Sequence, residues 1–337
     1  MAKQSFKRLD MKKEKVNWGI IGLGVIAHKF CEGLGVAKNA CIYAVASRSL
    51  EKAIAFGEKY GAIKNYGQYD ELIADPAVDI IYIATPHPQH FEIAKAALLA
   101  NKAVLCEKPV TINHSQASEL IEIAKRNKVF FMEAMWTHCF PLVLKLKDLL
   151  NQKVIGEIQS LEVNFCFKIK SRDERSRAFN PDLGGGALLD VGVYNIAMAY
   201  LILGKPETIE STVVIGSTGV DEENEIVFHY QNQIKAKLSS SFNNPKTNNL
   251  VLKGSKGEII ISEPFWQPTK LKIITNQPIE EDFPMRANGY EYEAEEAMLC
   301  LQKGLIESPL VKHSQTLEIM KIMDNLRKNW GVKYPME

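Results

Sequence analysis

The chain of 337 residues is predicted to be an α/β protein: an N-terminal doubly wound parallel sheet, followed by a C-terminal α+β domain with a mostly antiparallel, open-faced sheet. Three observations predict this. Apolar strand-like runs alternate with helix-like segments over residues 16–135, a glycine-bearing turn closes the first strand, and from residue 136 the pattern changes to long strand-like runs joined by turn signals.

The first strand-like run starts at Val16 and ends in Gly22-Leu23-Gly24-Val25-Ile26-Ala27, where a helix-like pattern begins. Gly22 permits the tight turn, Gly24 lets backbone approach a pyrophosphate, and Ala27 is small enough for the helix to pack on the strand. The phosphates would meet the helix N-terminus at Val25 and Ile26. This is a dinucleotide-binding turn of the Rossmann kind. A second strand, residues 41–47, follows about 20 to 25 residues on, as such a turn requires. An NAD site carries an acid at the end of that strand, whose charge repels a 2′-phosphate. Here the sequence reads Ala46-Ser47-Arg48-Ser49 instead. A small hydroxyl and a guanidinium suit a phosphate, so NADP is the expected cofactor and NAD the alternative.

The alternation continues with a helix over 51–60, a strand near 63–66, a helix over 69–74 and a strand over 79–84. After Asp79 the last of these is a continuous hydrophobic run, as a parallel strand buried on both faces should be. A helix over 88–101, a strand over 103–106, a helix begun by Asn113 with Gln116 in capping-box position, and a strand over 129–132 complete the first domain. Beyond it come a helix-like 142–150 and strand-like runs at 155–169, 208–215, 225–230, 233–242, 249–253, 258–261 and 271–274. Turn signals at Gln231-Asn232 and Gly254-Ser255-Lys256-Gly257 predict hairpins. Two helices close the chain, one ending at Gly304 and one over 314–330. The domains are thus expected at 16–135 and 136–337, after a disordered or flexible tail at 1–15, with the final helices able to pack back on the first domain.

Ligands of a doubly wound sheet collect outside the carboxyl ends of its strands. Those ends carry Thr85-Pro86-His87-Pro88-Gln89-His90, Glu107-Lys108-Pro109, and Glu133-Ala134-Met135-Trp136-Thr137. Lys108, fixed before a proline and near a cationic nicotinamide, is the strongest catalytic candidate, able to exchange a proton or hydrogen bond with a substrate hydroxyl. His87 and His90 either line the cofactor pocket or cap the following helix; with no third ligand at a recognisable spacing, no metal is expected. Asp190 and Tyr194 are four apart and share one helix face. Two readings stand for Tyr194: a phenol ionised by a neighbouring lysine, competent to move a proton, or a core residue whose hydroxyl is satisfied by Asp190. Gly184, Gly185 and Gly186 form either a flexible helix approach or a close backbone passage beside a ligand. The basic loop 170–177 reads as solvated surface or a lid.

A net charge of +1 gives no electrostatic footprint for nucleic acid. No run reads as the ~18 apolar residues of a membrane span, and the basic N-terminal tail lacks a secretory apolar region of about 7 to 15 residues. The six cysteines form no CxxC pair and read as reduced, buried thiols of a cytoplasmic protein.

Taken together, GLGVIA at 22–27, the Glu107-Lys108-Pro109 signature, EAMWTHCFP at 133–141, GGGALLDVGVY at 184–194 and the run from Glu307 to Glu337 resemble the Gfo/Idh/MocA oxidoreductases, in particular their dihydrodiol and D-xylose dehydrogenase branch. The resemblance covers the chain from Val16 onward. It implies hydride transfer between a nicotinamide cofactor and a sugar or alicyclic diol. It also implies a homodimer through the C-terminal sheet, Lys108 as the catalytic or substrate-orienting lysine, Tyr194 as proton donor or acceptor, and Asp190 as the residue orienting substrate or Lys108. Trp136 matches an aromatic of the substrate pocket, and Arg48 an arginine that accompanies NADP use. The branch usually reads Trp-Thr-Arg-Phe where this chain has Trp136-Thr137-His138-Cys139, which is expected to remove a cation and an aromatic near the site. The alternatives are an NADPH-dependent reductase of a keto-sugar or dicarbonyl, and a non-catalytic NADP-binding sensor.

Overall fold

The computed structural model describes residues 15–337, so the tail expected before Val16 lies outside the described residues apart from Lys15. The first half alternates as β1 (Val16–Ile21), α1 (Val25–Leu34), β2 (Ala40–Ala46), α2 (Leu50–Tyr60), β3 (Lys64–Tyr66), α3 (Tyr69–Ala74), β4 (Ile80–Ile83), α4 (His90–Leu99), β5 (Ala103–Glu107), α5 (His114–Asn127) and β6 (Phe131–Ala134). These strands form a parallel sheet of order β3-β2-β1-β4-β5-β6, in which the strand order reverses between β1 and β4. Every residue of β4 and β5 is buried, which explains their unbroken hydrophobicity. Side-chain caps set the helix starts: Ser49 accepts from the Lys52 amide at 3.3 Å, and Asn113 from the Gln116 amide at 3.0 Å.

Two boundaries differ from the sequence reading. A 3-10 turn, His87–Gln89, precedes α4, since Pro88 occupies its first turn and supplies no amide proton. Strand β6 begins at Phe131 rather than 129, because Lys128 is left-handed at the end of α5 and the Val129 amide still bonds the Ala124 carbonyl.

The second half contains α6 (Pro141–Asn151), β7 (Ile158–Cys166), α7 (Val193–Leu203), β8 (Thr208–Ile215), β9 (Asp221–His229), β10 (Lys235–Ser241), β11 (Leu250–Gly254), β12 (Gly257–Ile261), β13 (Lys270–Ile274), β14 (Ile279–Asp282), α8 (Tyr290–Gln302) and α9 (His313–Trp330). The sheet runs β14-β13-β12-β11-β7-β10-β9-β8, with β7 and β10 parallel and the other pairs antiparallel. The periodicity did not reveal β14, for its segment is acidic. Cross-strand pairs hold it, with Lys270 and Lys272 at 2.9 and 3.2 Å from Glu280. Strand β9 starts at Asp221, ahead of the expected 225, because the buried Asp221 carboxylate accepts from the Leu188 amide at 2.7 Å and from Asn224 at 2.9 Å.

α7 packs on β7 and β10. The segment Pro181–Leu203 is long and apolar enough to cross a membrane, contrary to expectation, but 72% of its most apolar window is buried inside this protein. The last helices return to the first half. Asn288, just before α8, donates to the Lys29 carbonyl of α1 at 2.8 Å, and Asp324 of α9 accepts from the His114 amide of α5 at 2.9 Å.

Candidate active site

Five strand ends and one loop of the second half converge on the same edge of the parallel sheet. At the end of β1, Gly22 has φ +89°, and a Cβ there would stand 2.5 Å from the Thr85 amide nitrogen beyond β4. Only glycine fits that turn. A Cβ on Gly24, in contrast, would meet nothing within 4 Å. The space in front of Gly24 is open, and the first turn of α1 has neither an acidic residue nor a side-chain cap. Its amides are left for an anion. Val25 (73% exposed) and Ile26 edge this opening, while Ala27 is fully buried against the sheet.

At the end of β2, Ser47 accepts from the Ser49 amide at 3.3 Å, and Arg48 is exposed. Among the described residues no carboxylate pairs with Arg48, so its guanidinium is free to take a phosphate. The residues present therefore fit a dinucleotide with a 2′-phosphate.

Beyond β4, Pro86 opens the 3-10 turn, and the hydroxyl of Thr85 is buried without a partner. His90 is fully buried, with its ring nitrogens 2.8 Å from the Thr85 carbonyl and 2.9 Å from the Pro109 carbonyl. Through these contacts it joins the loops that follow β4 and β5. His87, also buried, bridges Arg177 and the Gly184 carbonyl. Burial first, then the Arg177 charge, hold its imidazole well below the ordinary range, so it is neutral. It accepts from Arg177 through Nε2 and donates to Gly184 through Nδ1. Among the described residues no three His, Cys, Asp or Glu side chains converge as a metal site.

At the end of β5, Glu107 faces inward, accepting from the Tyr82 hydroxyl at 2.5 Å and the Lys108 amide at 3.2 Å. Lys108 turns the other way. Its Nζ donates to the Asp190 carbonyl at 2.6 Å and to Asp190 Oδ1 at 3.2 Å, and stands 4.8 Å from the centre of the Tyr194 ring. Burial pushes the Asp190 carboxyl up, but the Lys108 and Arg177 cations outweigh it and hold the group well below the usual carboxylate range.

Asp190 lies in a π-turn, Leu188–Gly192, directly ahead of α7, where Tyr194 sits. Such turns often mark functional positions. Asp190 is committed to Lys108 and Arg177, whereas the Tyr194 hydroxyl accepts from the Trp136 indole at 3.1 Å. The reading in which Asp190 satisfies the Tyr194 hydroxyl is thereby corrected. So is the expectation of an ionised phenol: Lys108 lies over the ring face, while burial and the charges of Glu107, Asp190 and Glu293 push the group well above its ordinary value. These influences hold the Tyr194 phenol in its protonated form.

Tyr194, Phe165 and Trp266 form an aromatic wall, with Phe165 stacked on Trp266 at 3.4 Å between centroids and 5.7 Å from Tyr194. Trp136 stacks on Tyr290 at 4.4 Å. Periodicity gave no signal for Phe165 or Trp266 as site residues, since one reads as sheet core and the other as loop. Arg177 was also missed, hidden in a loop that reads as surface. Of that loop, Arg175 is 91% exposed, but Arg172 pairs with the buried Glu222 at 2.6 Å and Arg177 reaches Asp190 at 3.0 Å. The glycine run is packed rather than flexible: a Cβ on Gly185 would stand 2.9 Å from the Asn180 carbonyl oxygen. Finally, His138 is buried near Ala197, Leu310 and Lys147, and Cys139 near Glu293, Glu296 and Cys300. Their difference from the usual branch motif therefore falls in packing behind the site rather than on the Lys108, Asp190 and Tyr194 cluster.

A parallel sheet with an open glycine turn at one strand end and a lysine, aspartate and tyrosine cluster beside it defines a dinucleotide-dependent oxidoreductase. Comparison with known proteins agrees. Residues 16–135 match the oxidoreductase family with an NAD-binding Rossmann fold, Gfo/Idh/MocA, and residues 143–260 match the Gfo/Idh/MocA C-terminal domain. The chain belongs to that family. It is 35% identical to trans-1,2-dihydrobenzene-1,2-diol dehydrogenase of Xenopus tropicalis, over 94% of this chain and 99% of that one. To the Homo sapiens enzyme of the same name it is 33% identical, over 96% and 99%. The solved structure of KijD10, a 3-ketoreductase from Actinomadura kijaniata in complex with NADP and TDP-benzene, superposes with a TM-score of 0.82 at 26% identity, covering 93% of this chain and 97% of that one.

Proposed function

We propose that this protein is an NADP-dependent dehydrogenase that interconverts a ring CH–OH and its ketone on an alicyclic diol or a sugar, with Lys108, Asp190 and Tyr194 as its working residues. The observation that carries the reading is the Lys108 ammonium, held by Asp190 over the Tyr194 ring at the strand ends beside the open Gly24 turn. Gly22, Gly24, Val25, Ile26, Ala27, Ser47, Arg48, Thr85 and Pro86 would hold the cofactor, with His87, His90 and Glu107 supporting those loops from behind. NADP, when bound, supplies the hydride acceptor or donor. Lys108 meets the substrate oxygen and stabilises negative charge on it, Tyr194 exchanges the hydroxyl proton, and Asp190 fixes the direction of Lys108.

The aromatic wall of Tyr194, Phe165 and Trp266 supports a flat carbocycle over a fully hydroxylated sugar, whose oxygens it would leave unpaired. Relatives named trans-1,2-dihydrobenzene-1,2-diol dehydrogenase support the same choice. A second reading, ketone reduction as the favoured direction, is supported by the protonated Tyr194, which is ready to donate at neutral pH. Steady-state constants in both directions separate the two. NADPH binding without turnover in either would leave a cofactor-binding sensor.

We assign residues 16–135 to cofactor binding and 136–337 to substrate binding and dimerisation. Homodimerisation through the open face of the antiparallel sheet is supported by the exposed Val214 and Ile215 on β8. A cytoplasmic location is supported by six cysteines that all remain thiols.

A further inference from the structure

Arg177 stands on the segment between β7 and the 3-10 turn at Pro181–Leu183, and it joins Lys108 on the Asp190 carboxylate. Its guanidinium covers both carboxylate oxygens of Asp190, with Nη1 3.0 Å from Oδ1 and Nη2 3.1 Å from Oδ2. Nη1 also donates to His87 Nε2 at 3.2 Å. The loop that carries it is pinned, since Arg172 pairs with buried Glu222 at 2.6 Å and lies 4.7 Å over the ring of Phe179. Arg177 is therefore held on Asp190 and does not merely drift past it.

This arrangement changes the charge that the substrate meets. Lys108 and Asp190 alone form a neutral pair, which has no surplus charge for a developing alkoxide. With Arg177 added, two cations share the one Asp190 carboxylate. We propose that Arg177 is a positioning residue for the proton transfer: it takes up the Asp190 carboxylate, so that Lys108 keeps its charge for the substrate oxygen and Tyr194 is screened from Asp190. The proposal rests on the reading of Lys108 and Tyr194 given above.

The charged and titratable groups around the cluster set the sign of the expected effect. Asp190 is faced by Lys108 from the end of β5, Arg177 from its loop, and neutral His87 from beyond β4. Tyr194 is faced by Lys108 over its ring, Glu107 beside that lysine, Asp190 one turn earlier, and Glu293 and Tyr290 of α8, with Trp136 donating to its hydroxyl. Among these, Asp190 is the carboxylate that Arg177 touches. Its removal returns a full negative charge to Lys108 and Tyr194, which makes the phenol harder to ionise.

The test compares wild type, Arg177→Gln and Arg177→Lys in the oxidation of a cyclic trans-diol by NADP across pH 6 to 10. Arg177→Gln is expected to lose about tenfold in kcat near neutrality and to regain it roughly one pH unit higher, with KM changed less than about threefold. Arg177→Lys, which keeps the charge, should recover most of the loss. A parallel readout needs no turnover: the His87 imidazole ¹⁵N shifts should move in Arg177→Gln, because Nε2 loses its donor. A kcat profile that superposes on wild type, or falls equally at every pH, overturns the Arg177 role while the dehydrogenase reading stands. Unmoved His87 shifts overturn the contact itself. A wild type silent on every substrate overturns the reading beneath it, and the proposal falls with it.

Discussion

Trp136 donates its indole N–H to the Tyr194 hydroxyl at 3.1 Å, joining the end of β6 to the first turn of α7. That bond opposes the burial and carboxylates that push the phenol up. Trp136→Phe removes the donor and keeps much of the ring stack on Tyr290. A hydrogen bond of about 1 kcal/mol corresponds to roughly fivefold. Oxidation kcat should drop by about that factor near pH 7 and its rise with pH should move upward, as read from a kcat–pH profile.

Lys108→Ala removes the group assigned to the substrate oxygen. Turnover should fall by about 10² to 10⁴ while NADPH affinity, measured by fluorescence titration, stays within about threefold. Unchanged turnover contradicts the assignment. Some loss of thermal stability is expected as well, because the mostly buried Asp190 loses one of its two cations.

The two glycines of the turn should part company. Gly22→Ala forces a side chain onto φ +89° and into the Thr85 backbone, and should destabilise the fold by about 2 kcal/mol or more. Gly24→Ala meets open space in the protein alone, so its melting temperature should stay near wild type, with a shift on the order of 1 kcal/mol at most. Its NADPH affinity should still fall at least about tenfold, since the added methyl stands where the backbone must approach the pyrophosphate.

Arg48→Asp replaces a free guanidinium with the acid typical of NAD sites. NADPH binding should weaken by about tenfold or more, with NADH binding equal or tighter. A wild-type protein that binds NADH more tightly than NADPH would refute the Arg48 argument.

His138 is buried against the backbone of Ala197 and Leu310, and burial pushes its imidazole down to about 4. Below pH 6.5 the unfolded chain binds a proton there that the folded chain refuses. Stability should therefore be full above about pH 6.5 and fall as pH drops toward 4, by up to about 3 kcal/mol for this residue. Denaturant melts of His138→Phe should show a shallower acid loss than wild type over that window.

Local patterns made most of the fold legible. The parallel sheet follows from strand-like runs such as Ile80–Ile83, and its capped helices from Ser49 and Asn113, because buried parallel strands and caps leave short-range marks. The acidic β14 left none, since its pairing depends on Lys270 and Lys272 of the neighbouring strand. The site divides in the same way. Lys108, Asp190 and Tyr194 stand at strand and helix ends where chemistry is expected. Arg177, Phe165 and Trp266 join them through contacts far apart in the sequence, which no spacing rule records. The ionisation of Tyr194 was also out of reach, because it depends on where Lys108 lies relative to the hydroxyl and on Glu293, brought in from α8.

The most direct test of the account is NADP reduction by the purified protein with a cyclic trans-diol, beside D-xylose, D-glucose and an inositol, and with Lys108→Ala and Tyr194→Phe as controls. The account predicts turnover that is greatest on the diol, increases with pH as Tyr194 gives up its proton, and falls by at least about a hundredfold in both variants. Turnover that survives both substitutions, or none on any substrate in either direction while NADPH still binds, would contradict it.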